Sequence, residues 1–178
     1  GTPWVASGTA ARTAQLLARS PGATAWVQHP FTSTASATDL ALAARHGVVV
    51  FGAVEAGTPT VRLLSSGSWS SLPTPGDVPG EARRSRPGER LFDVALDAND
   101  RPVAAFVGTD ERVHVLRFEG PGWAVVAELS PAAGRIALEV SLAANSAGAL
   151  ALAWTEASHV LLAGSAQRVQ PVHLASAV

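Results

Sequence analysis

The densest run of oxygen ligands in the chain is Asp97-Ala98-Asn99-Asp100, whose short spacing matches that of calcium loops. No glycine follows at the sharp turn and no distal glutamate closes the site. The tetrad therefore reads as an Asx-type turn between two strands. The five histidines are His29, His46, His114, His159 and His173, and none forms HExxH or HxH, so no metal site is expected. His114 and His159 each open a His-Val-Leu triplet, which suggests packing or edge capping, or polar groups around a central pore. Serines are plentiful, but no Gly-x-Ser-x-Gly elbow, glycine-rich phosphate loop or Walker pattern occurs. No catalytic residue is expected. The weak binding candidates are His114, His159, Glu156, Trp69 and Trp123.

The elements that must carry these residues are set by repetition. Asp93-Val94-Ala95-Leu96-Asp97 through Phe106 is echoed by Glu139-Val140-Ser141-Leu142-Ala143 through Trp154, each reading as strand, turn and strand. Leu40 through Phe51 is a third copy with a shorter turn, and Leu16 through Trp26 a weaker fourth. Downstream, Arg112–Phe118 and Trp123 match Thr60–Leu64 and Trp69, with Ser158–Leu162 and Arg168–Val172 as the last counterparts. The unit is four short strands in roughly 45 to 55 residues, the size of a propeller blade. Trp26, Phe51, Phe106 and Trp154 then read as apolar wedges between blades, although a sugar-stacking aromatic set is the other reading. Val94, Leu96, Val103, Ala105, Leu142, Leu150 and Leu152 are expected in the core.

The fold class is therefore all-β, a propeller-like array of four-stranded antiparallel blades forming a partial or minimal ring. The chain divides into a truncated first blade at 1–37, blades at 38–77, 91–130 and 136–174, and a linker at 78–90 rich in Arg, Pro and Gly. That linker reads as a solvated connection, with an anion-binding loop as the functional alternative. A helical reading of Thr38–Gly47 and Thr13–Gly22 also fits local signals, namely capping residues, Ala and Leu in the middle and a Gly stop. Repeat alignment favours strands.

Composition excludes several classes. With 47% apolar and 15% charged residues, the 178-residue chain is globular and has room for one sizeable core. A net charge of −1 gives no reason to expect nucleic acid. Without cysteine there are no disulfides or thiolate sites, and no apolar run reaches the roughly 18 residues of a membrane span. The absence of Met makes Gly1 a processed or excised start. The all-Arg basic set, with abundant Ala, Gly, Pro and Val, fits a GC-rich bacterial gene.

The repeat resembles a family of units in large secreted or surface proteins of myxobacteria and related bacteria. Asp93–Asp97 with Arg101–Phe106 is the best copy, and Val140–Leu142 with Ala153–Glu156 the next. The resemblance implies β-propeller blades and no shared catalytic residues or cofactor. It leads to an expectation of a non-catalytic interaction module, extracytoplasmic or secreted, that binds a protein or glycan. Another chain completing the ring is a further expected partner. The alternative is a hydrolase whose site is assembled from loops.

Overall fold

The computed structural model describes residues 2–8, 14–29, 37–78, 90–158 and 172–177. Its strands form four antiparallel sheets in chain order. The first holds β1 (Trp4–Gly8), β2 (Ala14–Ala18) and β3 (Val27–His29). The second holds β4 (Ala37–Arg45), β5 (Val48–Glu55), β6 (Thr58–Ser65) and β7 (Ser68–Leu72). In the third are β8 (Phe92–Leu96), β9 (Pro102–Val107), β10 (Val113–Phe118) and β11 (Trp123–Leu129), and in the fourth β12 (Arg135–Ala144), β13 (Leu150–Ser158) and β14 (Val172–Ala177). Every strand pairs with its neighbour in sequence, so each sheet is a meander.

Turn chemistry sets the registers. In the second sheet His46-Gly47, Ala56-Gly57 and Ser66-Gly67 each place two successive residues at positive φ, from 47° to 85°. That is the primed two-residue turn whose twist matches antiparallel strands. The third and fourth sheets instead open with five-residue turns, Asp97–Arg101 and Asn145–Ala149, closed by matching backbone bonds from Asp97 to Arg101 and from Asn145 to Ala149. The two turns lie 48 residues apart, as do Phe106 and Trp154. The true counterpart of Asp97 is thus Asn145, two places beyond the Ala143 of the sequence alignment.

The sheets stack by fitting bulky side chains into small ones. Phe51 joins Ala6, Ala14 and Leu16 between the first two sheets. Between the second and third, Phe92, Val94 and Phe106 meet Ala41, Val50 and Val61. A Cβ added at Gly52 would collide with the Phe92 ring and lie 2.7 Å from Val94 Cγ1, so only glycine admits that ring. Between the third and fourth, Val140, Leu142 and Leu152 meet Ala95, Val103 and Ala105, with Trp154 packed alongside.

Strands β4, β8 and β12 lie innermost, β4 packing on β8 and β8 on β12. The second strands pack on the next inner strand, β5 on β8 and β9 on β12. Strand β1 packs on β4 in that same way, and its Trp4 shares a groove with Val48 and Val49 at the head of β5. It therefore occupies a second-strand position, and the first sheet has no inner strand among the described residues. The array is an open arc of four blades.

The all-β expectation holds, and the helical alternative fails because Thr38–Gly47 and Thr13–Gly22 contain β4 and β2. Of the expected core residues, six are buried and Leu150 is half-buried. Of the expected wedges Trp26 needs correction, while Phe51 is a wedge as expected but at a different register. Trp26 stands 41% exposed just before β3, so it belongs with Trp69 and Trp123 at the head of an outermost strand. Phe51 is buried but pairs with Leu42, nearer its turn than the Phe92–Phe106 and Val140–Trp154 pairs are to theirs. The third strand of the last blade is β14, paired directly with β13, whereas the expected segments at 159–162 and 168–171 lie outside the described residues. Most of the linker, 79–89, lies outside them too.

Gly52→Ala should destabilise the chain by about 1–3 kcal/mol through overpacking against Phe92. Thermal unfolding checks this, and an unchanged midpoint would contradict the stacking geometry.

Candidate functional site

Two regions gather polar chemistry, the inner cleft and the outer crevices between blades. The inner strands border a cleft of about 680 Å³, with Arg45, His46 and Asn145 at one end and Arg90 and Asp93 at the other. At the first end three hairpin turns meet. Arg45 donates through Nη1 to the Asp97 carbonyl at 2.7 Å and through Nη2 to the Ser146 carbonyl at 3.0 Å. Its Nε lies 3.6 Å from Asp100, whose carboxylate also meets His46 Nδ1 at 3.0 Å. One arginine thus ties the inner turns of three consecutive blades.

The tetrad Asp97–Asp100 is the Asx-type turn expected. Asp97 Oδ1 accepts the Asn99 and Arg101 amides at 2.8 and 3.0 Å, and Oδ2 accepts Arg101 Nε at 2.9 Å. Burial pushes this carboxyl up, but the Arg101 amide, the Arg101 guanidinium and the Asn99 amide together outweigh it and hold it below the usual range. Asn145 Oδ1 does the same work in the next blade, accepting the Ala147 and Ala149 amides.

Asp93 sits at the far end of the cleft, 5% exposed on β8. It accepts the Leu142 amide of β12 at 2.8 Å and the Val94 amide at 3.0 Å, with Arg90 Nη1 3.5 Å away. Burial pushes its carboxyl above the ordinary value, against the lowering effects of the Leu142 amide, Arg90, the Val94 amide and Ser141. One bridge backwards complements it: Asp39 Oδ2 accepts the Leu91 amide at 3.2 Å, linking the second blade to the third.

The sequence-derived candidates do not converge. His114 lies on the third strand of its blade, away from the cleft, stacked on Phe106 at 5.1 Å. Its Nε2 meets Asp110 at 2.8 Å and its Nδ1 lies 3.6 Å from Glu128. Glu156 is 2% exposed and accepts the Trp154 indole N–H and the Ala132 amide. His159 lies outside the described residues. Trp69 and Trp123 face the preceding blade from outermost strands. Trp123 donates to the Pro73 carbonyl at 2.7 Å and stands edge-on to Phe118, while Trp69 stands edge-on to Trp4 and its indole N–H is buried without a partner. Trp26 carries Arg19 over its ring at 5.3 Å. Among the described residues no group of three or more His, Asp or Glu side chains is placed to hold a metal, and no helix is long and apolar enough to cross a membrane.

Sequence reasoning passed over Arg45, Arg90 and Asp93. The available signal was a charged residue set into an otherwise apolar inner strand, as Asp93 is between Phe92 and Val94. For Trp26 it was a glycine three or fewer places before the tryptophans at 69 and 123, loosened to four at Gly22.

No protein-family model matches the chain, and no curated protein does either. Solved structures do. The six-bladed β-propeller lectin of Aleuria aurantia, with a novel mode of fucose recognition, matches 96% of this chain over 57% of its own length at a TM-score of 0.61 and 13% identity. The SapL1 lectin, solved with α-methyl fucoside, matches 99% over 60% of its length at 0.59 and 9% identity. A fucose lectin from Kordia zhangzhouensis matches 71% over 90% of its length at 0.53 and 14% identity. The fold class is therefore the β-propeller, and the chain spans less than two thirds of the first two of these lectins.

Asp97→Ala should cost about 1–3 kcal/mol at neutral pH by orphaning two amides. A depressed carboxyl stabilises the fold above the unfolded pKa of about 4, and that contribution is lost as pH falls through the lower folded value. The stability gap between wild type and Asp97→Ala should therefore narrow as pH falls below about 4. Denaturant titrations across pH check this, and a pH-independent gap would contradict it. For Asp93 the sign is opposite: its raised carboxyl favours the fold below about pH 4 and loses that contribution as pH rises through the raised value.

Proposed function

We propose that this chain is a non-catalytic glycan-binding module, a segment of a propeller ring whose remaining blades come from another chain or copy. The observation that carries the reading is the recurrence of Trp26, Trp69 and Trp123 at the head of the outermost strand in the first three blades, within an arc that superposes on propeller lectins. Of the three, Trp26 is exposed and offers the face of its indole, and such faces stack on the C–H surfaces of sugar rings, whereas Trp69 and Trp123 are half-buried against the preceding blade. Arg19 beside Trp26, with Arg101, Arg117 and Glu119 near the outer turn of the third blade, supplies charged hydrogen-bonding partners for ring hydroxyls. Fucosylated glycans are the first ligand class to test, because the lectins of like fold bind fucose. A glycan target fits an extracytoplasmic or secreted place of work, as does the resemblance to secreted bacterial repeats.

The buried carboxylates serve structure in this reading: Asp97 shapes a turn, Asp93 joins two inner strands, and Glu156 caps an indole and an amide. The hydrolase alternative would rest on His114, whose ring nitrogens face Asp110 and Glu128.

A glycan array followed by titration calorimetry tests the proposal. Binding to a fucosylated or related glycan is expected, and Trp26→Ala should weaken it about tenfold or more while leaving the unfolding midpoint nearly unchanged, since Trp26 is exposed and outside the core clusters. Absence of glycan binding together with His114-dependent turnover of a generic ester or peptide would replace this reading with the hydrolase.

A further inference from the structure

The first blade differs from the next two in the charge set beside its tryptophan. Strand β2 pairs with β3 from Leu16–His29 to Ala18–Val27, so one step further the register puts Arg19 opposite Trp26 at the mouth of their loop. The Arg19 guanidinium lies over the Trp26 ring at 5.3 Å. Its amide donates to the Pro3 carbonyl at 3.2 Å, which holds the backbone below the pair. In the second blade the residue opposite the tryptophan is Leu64, and in the third it is Phe118. Of these three pairs, only the first carries a cation. Nothing on its own blade neutralises it. Residues 1–37 hold Arg12 and Arg19 and no Asp or Glu, whereas residues 38–178 hold eleven arginines and fourteen carboxylates. In the third blade the arginines are already paired, Arg117 with Glu119 at 2.6 Å and Arg101 with Asp97 at 2.8 Å. Arg19 and Trp26 are both exposed. A surface cation–π contact is weak beside a charge-assisted hydrogen bond, so the guanidinium can turn from the ring to an anion.

We propose that the Arg19–Trp26 pair recognises an acidic sugar unit, one that carries a carboxylate or a sulfate ester, and that Arg19 sets this specificity. The proposal rests on the glycan reading and narrows it at one blade. A sugar ring stacked on the exposed indole brings its substituents beside the guanidinium. The planar fork of Arg19 then donates two parallel N–H bonds to the oxygens of an acid group. A neutral sugar at the same place gains only ordinary hydrogen bonds, and a cationic one is repelled. Leu64 and Phe118 offer no such donor at the corresponding positions, so the preference belongs to the first blade.

The test presents the intact chain with matched array glycans that end in galactose, galacturonate or galactose 6-sulfate. An acidic terminus should bind about tenfold or more tightly than the neutral one at low salt, and the preference should shrink as salt is added. Preference for one acid alone supports the proposal and identifies the anion. Arg19→Gln should abolish the preference, and Arg19→Lys should keep part of it, because the charge stays and the fork is lost. Arg19 is exposed, so both variants should unfold at the wild-type midpoint. Acidic termini bound no better than galactose, or a preference that persists in Arg19→Gln, would overturn the proposal while a neutral glycan bound on the array leaves the glycan reading standing. If the array shows no bound glycan of any kind, that reading falls and the proposal falls with it.

Discussion

The structure depends on the fit of a ring into a gap. Each blade is a thin meander that cannot hide both faces alone, so burial comes from stacking one blade on the next. Phe92 enters the space that Gly52 leaves, Phe106 lies over Gly76, and Phe51 settles against the alanines of the first blade. Each fully buried apolar side chain of this size contributes about 1.5–3 kcal/mol, and interiors so matched tolerate little change in volume. The repeat is therefore one of alternating bulk as well as of strands. Inner strands β4 and β8 carry large residues towards the preceding blade and small ones towards the next, which gives the array a direction.

Polar groups act on this scaffold as stitches. Arg45 draws three inner turns together, Asp39 reaches the start of the third blade, and Asp93 reaches the fourth. These bonds lie along the inner strands, and each satisfies backbone groups that burial would otherwise leave costly. With the charged residues of the cleft committed to such bonds, the glycan contacts we propose fall to the outer strands and their tryptophans.

Much of this was legible in the chain, and the limits were physical. Period-two alternation in Val94/Leu96 and Val103/Ala105 marked half-buried strands, and repeat alignment favoured hairpins, although His46-Gly47, whose paired positive φ makes the turn, locally read as a helix stop. Alignment failed where turn length changed. Ala143 was matched to Asp97 because the strands look alike at any even shift, whereas the hydrogen bonds of Asn145 fix the true offset. Trp26 was grouped with Phe51 because each ends an aligned copy of the repeat, yet its exposure and the turn at Gly22 place it with the outermost-strand tryptophans. Arg45 and Asp93 were invisible as partners because their acceptors and donors lie 52, 101 and 49 residues away. No spacing rule reaches that far.

The central claim is that the four blades form an open arc shaped by one repeated fit. Since the chain has no cysteine, single spin labels can be placed cleanly at cysteines introduced for Val27 in the first blade and Ala151 in the fourth, both exposed. Pulsed dipolar spectroscopy on the isolated chain then reads the separation of the two ends. The account predicts a distance clearly longer than that between labels on adjacent blades, for instance at Ser66 and Gly122. A distance as short as the adjacent-blade reference would mean that the first and fourth blades meet, closing a four-bladed ring and contradicting the arc.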